Sequence, residues 1–339
     1  MIFLSEPPLH EETMVSWAWR VFNEVDCPTE WIALHQAFYV SHGCDPDFNF
    51  LSPFALELQR ITQLTASDLR ERFSVGGALV IPRKARSAYC YECLEDSVRQ
   101  VGLPSWKRSW CSPFIPICQK HQHVLSDTLN RDASYYEFPA LAFIEGAESS
   151  YSANGGRLSN YSKRWYGERY MEPAVKSQHW YCNFLSSGTE SWRFSLRRLW
   201  EIIFIALMGC HVARLGTWKG WWAGETGPGR STAREKRSAT GSLLKEGLYG
   251  SISTRMEALF YCGMVFGVFR FMSSEDDVFG YAPMDPLVLG RRMRRDKPEI
   301  SLWLVGYMER RHALLLPATK QFLEGLKLSS GSYDHRFKW

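Results

Sequence analysis

Residues 90–121 read CYECLEDSVRQVGLPSWKRSWCSPFIPICQKH. Cys90 and Cys93, three apart, open the stretch, and Cys118 and His121 close it at the same spacing. That spacing lets one turn of chain aim both donors at one ion, and two such pairs complete a tetrahedral Cys3His set. With all four positions taken by protein the set is closed to water, so the expected ion, one structural Zn2+, organises the chain and does no chemistry. Cys111 and His123 carry the right donor types to replace a member, but the matched spacing favours the four named. The bland alternative is four buried residues that happen to share a spacing. Between the pairs, Trp106 and Trp110 offer rings for a small core that the loop would not assemble untied.

Working toward the amino terminus, apolar residues recur at helical spacing. EETMVSWAWRVF, from Glu11, puts Met14, Trp17, Ala18 and Val21 on one face, and Trp31, Leu34, His35 and Phe38 mark a second helix over about 29–40. FALELQRITQLTASDLRERF, from Phe54, reads as helix, tight break, helix, with Thr65 and Asp68 as a capping pair. This outline fits a helix-turn-helix as well as a plain helical hairpin.

Toward the carboxyl terminus, residues 131–190 are rich in Ser, Tyr and Gly and are expected to connect. Helical spacing returns with Trp192, Leu196, Leu199 and Ile203, and helices are expected over 199–215, 251–273 and 299–325. Residues 224–242 have the composition of an exposed loop. The reading is mainly α. It comprises a helix-turn-helix-like helical region (1–80), a zinc-finger segment (81–130), a connecting region (131–190) and a carboxyl-terminal helical domain (191–339).

Composition agrees with a folded protein: of 339 residues, 45% are hydrophobic and 22% charged. The apolar runs from Leu199 and Met256 are short or interrupted by Glu201, His211, Glu257 and Arg270, so buried helices are expected instead of membrane spans. The start MIFLSEPPLHEE lacks the pattern of a secretion signal, and nine cysteines then point to metal and core use in the cytoplasm. Residues 1–130 carry a net charge of −4 and residues 131–339 a net of +8. The carboxyl-terminal part is therefore the one suited to polyanions.

Three segments, in order, resemble the TniQ/TnsD family of transposition proteins: PPLHEETMVSWAWR (Pro7–Arg20), YCxxCL (Tyr89–Leu94) and CxxHxxxL (Cys118–Leu125). The chain departs from the family pattern at Tyr91, where Pro is common, and at SDTLNRDAS (Ser126–Ser134), where a second CxxC often stands. The resemblance implies a non-enzymatic adaptor. Such proteins link a target-recognition module, the RNA-guided Cascade complex of a CRISPR-associated transposon, to an AAA+ ATPase and its transposase. It also implies a homodimer in the Cascade-bound form, guide RNA and target DNA nearby, and no membrane partner. A stand-alone, sequence-specific DNA-binding selector of TnsD type is the alternative.

The basic run Arg291, Arg292, Arg294, Arg295 and Lys297 is the candidate nucleic-acid contact, and Arg234, Lys236 and Arg237 form a weaker one. No phosphate loop, HExxH helix or GxSxG elbow is present. Glu275, Asp276 and Asp277 leave a metal-dependent nuclease as a rival of another class, although three consecutive acids on a regular element diverge.

Overall fold

The computed structural model describes residues 6–24, 28–41, 44–74, 79–128, 138–151, 171–183, 191–209, 248, 250, 252–269 and 285–328. These residues are mainly helical, as expected, and divide between two compact units, Met1–Trp165 and Tyr166–Trp339.

The first unit opens with α1 (Met14–Glu24), α2 (Pro28–Val40), α3 (Pro53–Thr62) and α4 (Ala66–Phe73). Met14, Trp17, Ala18 and Val21 of α1 are all buried, and Trp17 packs on Phe73 of α4 with centroids 5.3 Å apart. Phe38 of α2 meets Phe54 of α3 edge to face at 6.0 Å. Each such ring withdrawn from water contributes about 2–3 kcal/mol, which holds four short helices together. Local signals set the boundaries. Ser52 accepts the Ala55 N–H ahead of Pro53, and Thr65 and Asp68 form a reciprocal capping box that starts α4.

After a two-residue strand β1 (Ala88–Tyr89) comes α5 (Tyr91–Val101). A long loop with one 3-10 turn then returns the chain to β2 (Ser126–Asp127), antiparallel to β1. Residues 131–190, expected to connect, carry helices α6 (Phe138–Tyr151) and α7 (171–183) among those described. The Tyr91 ring stacks on Phe143 at 5.7 Å and lies against Gly146, where an added Cβ would sit 2.2 Å from it. This lays α6 on α5.

The second unit holds α7, α8 (Ser191–Gly209), α9 (Ile252–Val265), α10 (Pro286–Asp296), α11 (Pro298–Glu309) and α12 (Pro317–Lys327). Its core includes Trp200, Phe204, Leu259, Cys262, Met293, Leu304 and Phe322. Of the stripe read on α8, Leu196, Leu199 and Ile203 are buried, but Trp192 is 49% exposed. One helix expected over 299–325 is two, because Pro317 has no N–H to give and disfavours helix at the residue before it. The helix expected to 273 stops at Val265, where Gly267 takes a φ of +67° and its neighbours return their N–H groups to the last turn. Gly290 of α10 and Gly325 of α12 sit at a tight crossing, where a Cβ on either would lie 2.4 Å or less from a carbonyl of the other helix. Residues 224–242 and Glu275, Asp276 and Asp277 lie outside the described residues, as do Arg234, Lys236 and Arg237. No helix among the described residues is long and apolar enough to cross a membrane.

Candidate metal centre

The geometry of the centre follows from two short elements. Cys90 precedes α5 and Cys93 lies in its first turn. The second pair sits on a hairpin closed by the Ile117–Val124 bridge. Gln122, at φ 55°, turns the backbone so that the Cys118 N–H reaches the His123 carbonyl at 2.8 Å. The four donor atoms of Cys90, Cys93, Cys118 and His121 all fall within 4.8 Å of one another. The His121 Nδ1 lies 3.3 Å from the Cys90 Sγ, 3.4 Å from Cys93 and 3.7 Å from Cys118. Cys93 and Cys118 are 3.6 Å apart.

The three thiols are buried and hydrogen-bond one another. Bonds received from Cys90 and Cys93 hold the Cys118 thiol below the usual range, whereas the bond to Cys118 raises both partners, reinforced by burial. Such a group of soft donors could hold a metal ion. Cys111 is buried away from the group, its thiol pointing to the Lys107 carbonyl at 3.8 Å. His123 turns outward to Glu92 at 2.9 Å. The spacing of the two pairs therefore named the four donors that come together.

Between the pairs, Trp106 and Trp110 are both 2% exposed and meet edge to face at 5.2 Å. This small core is fastened to the helical bundle through backbone. The Trp106 carbonyl accepts the Thr13 N–H at 2.9 Å, the Glu11 carbonyl accepts the Arg108 N–H at 2.6 Å, and the Cys111 carbonyl accepts the Ile81 N–H at 2.8 Å.

Two buried ion-pair networks, legible in neither composition nor spacing, lock these segments. Glu12 and Arg20 are buried together at 3.0 Å, with Glu6 as a second carboxylate on Arg20 and the Pro7 carbonyl accepting at 3.1 Å. The same Glu12 accepts the Ser16 hydroxyl at 3.2 Å, and Ser16 in turn accepts the Trp106 N–H at 2.9 Å. Acid, serine and arginine of PPLHEETMVSWAWR thus form one chain of hydrogen bonds ending on Trp106, between the two Cys/His pairs. Arg86, also fully buried, pairs with Asp45 and with Asp47 at 3.3 Å, and Asp47 takes the Val15 N–H in the first turn of α1 at 2.8 Å.

The basic candidates lie in the second unit. Arg291 and Arg295 are exposed on α10, Arg292, Arg294 and Lys297 are half-buried, and Arg294 donates to the Pro298 carbonyl at 2.9 Å.

A helical bundle bonded to a small Cys3His module is the class of protein these features define. Residues 4–125 match the model of the TniQ family, which spans the bundle, the Glu12–Arg20 network and all four donors. The chain therefore carries a TniQ domain, and the TniQ/TnsD-type resemblance read from its three segments is borne out, with the transposition-associated target selection that marks the family. No curated protein and no solved structure matches the chain.

Proposed function

We propose that the chain is a zinc-stabilised, non-catalytic adaptor in transposition, linking a target-recognition module to the transposon's AAA+ ATPase and transposase. The TniQ match over residues 4–125 carries the reading. The donor set supports zinc as the ion: a tetrahedron with Zn–S near 2.3 Å and Zn–N near 2.0–2.1 Å has edges of about 3.8 Å between sulfurs and about 3.6 Å from sulfur to nitrogen. The observed separations of 3.6 Å and 3.3–3.7 Å fit those edges. Cys90, Cys93, Cys118 and His121 would hold the ion, and it would supply a cross-link between the start of α5 and the 117–124 hairpin.

The protein's own part is to present a rigid surface. Its module is bonded to the bundle at Thr13, Ser16, Glu11 and Ile81, so a partner gripping either grips both. On this reading the recognition module is a Cascade complex with guide RNA, and the adaptor acts in the cytoplasm. Arg291, Arg292, Arg294, Arg295 and Lys297 steady nearby nucleic acid, where Arg provides forked contacts to phosphate.

The test is affinity purification of the tagged chain expressed with its native operon. Recovery of Cascade subunits with guide RNA, together with the ATPase, is the expected result. Retention of attachment-site DNA over random DNA by the isolated protein at physiological salt would replace the adaptor with a stand-alone selector.

A further inference from the structure

The two acids Glu92 and Asp96 stand four apart on α5, one helical turn, and face the hairpin that carries the second donor pair. Asp96 Oδ2 lies 3.3 Å from the His121 Nε2, while the Nδ1 of that ring points at the three sulfurs. Glu92 Oε1 lies 2.9 Å from the Nε2 of His123, the residue whose carbonyl receives the Cys118 N–H. The two imidazoles are nearly parallel, 17° between planes with centroids 6.2 Å apart. One helix thus both supplies Cys93 and holds, through two carboxylates, the turn that supplies Cys118 and His121.

We propose that Asp96 is the positioning residue of the metal centre and that Glu92 is its auxiliary, an inference that rests on the zinc reading above. A neutral imidazole has one N–H, and a carboxylate facing Nε2 places that hydrogen there, leaving the Nδ1 lone pair for the ion. The same bond fixes the rotation of the ring and raises its basicity as a ligand. Lys120 Nζ donates to the same Asp96 Oδ2 at 2.5 Å and so fixes the carboxylate where it faces the ring. Glu92 touches the set at two points: its Oε1 fixes the His123 ring, whose carbonyl orients Cys118, and its Oε2 accepts from the Cys90 thiol at 3.4 Å. Glu95 provides the internal comparison, since it shares the helix and the charge but pairs with Arg99 at 3.5 Å.

The experiment titrates the full chain with Zn2+ against a chromophoric chelator and records the ligand-field absorption of the Co2+-loaded protein. Removal of a partner to a ligating imidazole lowers metal affinity roughly 10- to 100-fold. Asp96→Ala is expected to show that loss with a shifted Co2+ spectrum, Asp96→Asn to recover part of it through its remaining carbonyl acceptor, and Glu92→Ala to lose less than Asp96→Ala. Glu95→Ala is expected to match the parent. If Asp96→Ala binds Zn2+ within twofold of the parent, or Glu95→Ala falls as far, the positioning role is refuted while the zinc reading stands. A parent chain that takes up no Zn2+ overturns both.

Discussion

The Glu12–Arg20 pair allows a prediction in which the two halves of one ion pair differ in worth. Both side chains are wholly buried, but their remaining partners are unequal. With Glu12 replaced by Ala, Arg20 keeps the Glu6 carboxylate and the Pro7 carbonyl, so its charge stays compensated. With Arg20 replaced by Met, the Glu12 carboxylate keeps, among the described residues, the Leu9 N–H and the Ser16 hydroxyl. Breaking a buried pair by removing one partner costs about 3–5 kcal/mol when the other charge is stranded. Arg20→Met should fall in that range, and Glu12→Ala, with its backup acid, at about 2 kcal/mol. Hydrogen exchange of the α1 amides reports the difference directly, a tenfold change for each 1.4 kcal/mol or so. Acceleration of at least about 100-fold is expected for Arg20→Met and about 30-fold for Glu12→Ala. The double variant Glu12→Leu with Arg20→Met should recover more than half of the loss, because no charge is left behind. If Glu12→Ala proves the more damaging, or neither substitution reaches tenfold, stranded charge is not what this network guards against.

Four other outcomes follow from the same structure. Gly325→Ala puts a Cβ 2.2 Å from the Leu287 carbonyl and should cost about 3 kcal/mol on thermal melting. Gly306→Ala, whose Cβ meets only a flexible Arg310 tip at 3.7 Å, should raise the melting temperature slightly. Burial pushes the Glu257 carboxyl up to about 8, so its contribution to stability is present below the unfolded value near 4.5 and lost as pH rises through the folded value. Glu257→Gln should therefore match the parent near pH 4 and exceed it at pH 9 by about 2–4 kcal/mol in urea unfolding. Stripping metal with a chelator should speed amide exchange across residues 104–125 by at least tenfold, while α10 and α12 keep their protection; uniform loss in both units would contradict a local cross-link.

What could be read from the sequence was what is encoded within a turn or two of chain. The spacing of Cys90, Cys93, Cys118 and His121, the capping pair Thr65 and Asp68, and the apolar face of α1 all depend on neighbours three or four apart. The Arg86 network joins residues about forty positions apart, and no local pattern marks it. Trp192 continues a helical stripe in spacing yet protrudes, because α8 is packed from Leu196 onward and not at its first turn. In 131–190, α6 draws its place from Tyr91 on another helix, so its own Ser- and Gly-containing sequence carried little periodicity. Of the two departures from the family pattern, that at position 91 has a structural use: a ring there reaches Phe143 and Gly146.

That ring has a practical bearing on dissection of the protein. A fragment cut at Leu125 would contain every donor atom, yet it would strip the cover from Tyr91. It would also discard Thr128, whose hydroxyl donates to the Glu145 carboxylate at 2.7 Å. A piece that keeps these contacts has to run through Tyr151, past residue 125, where the family match ends.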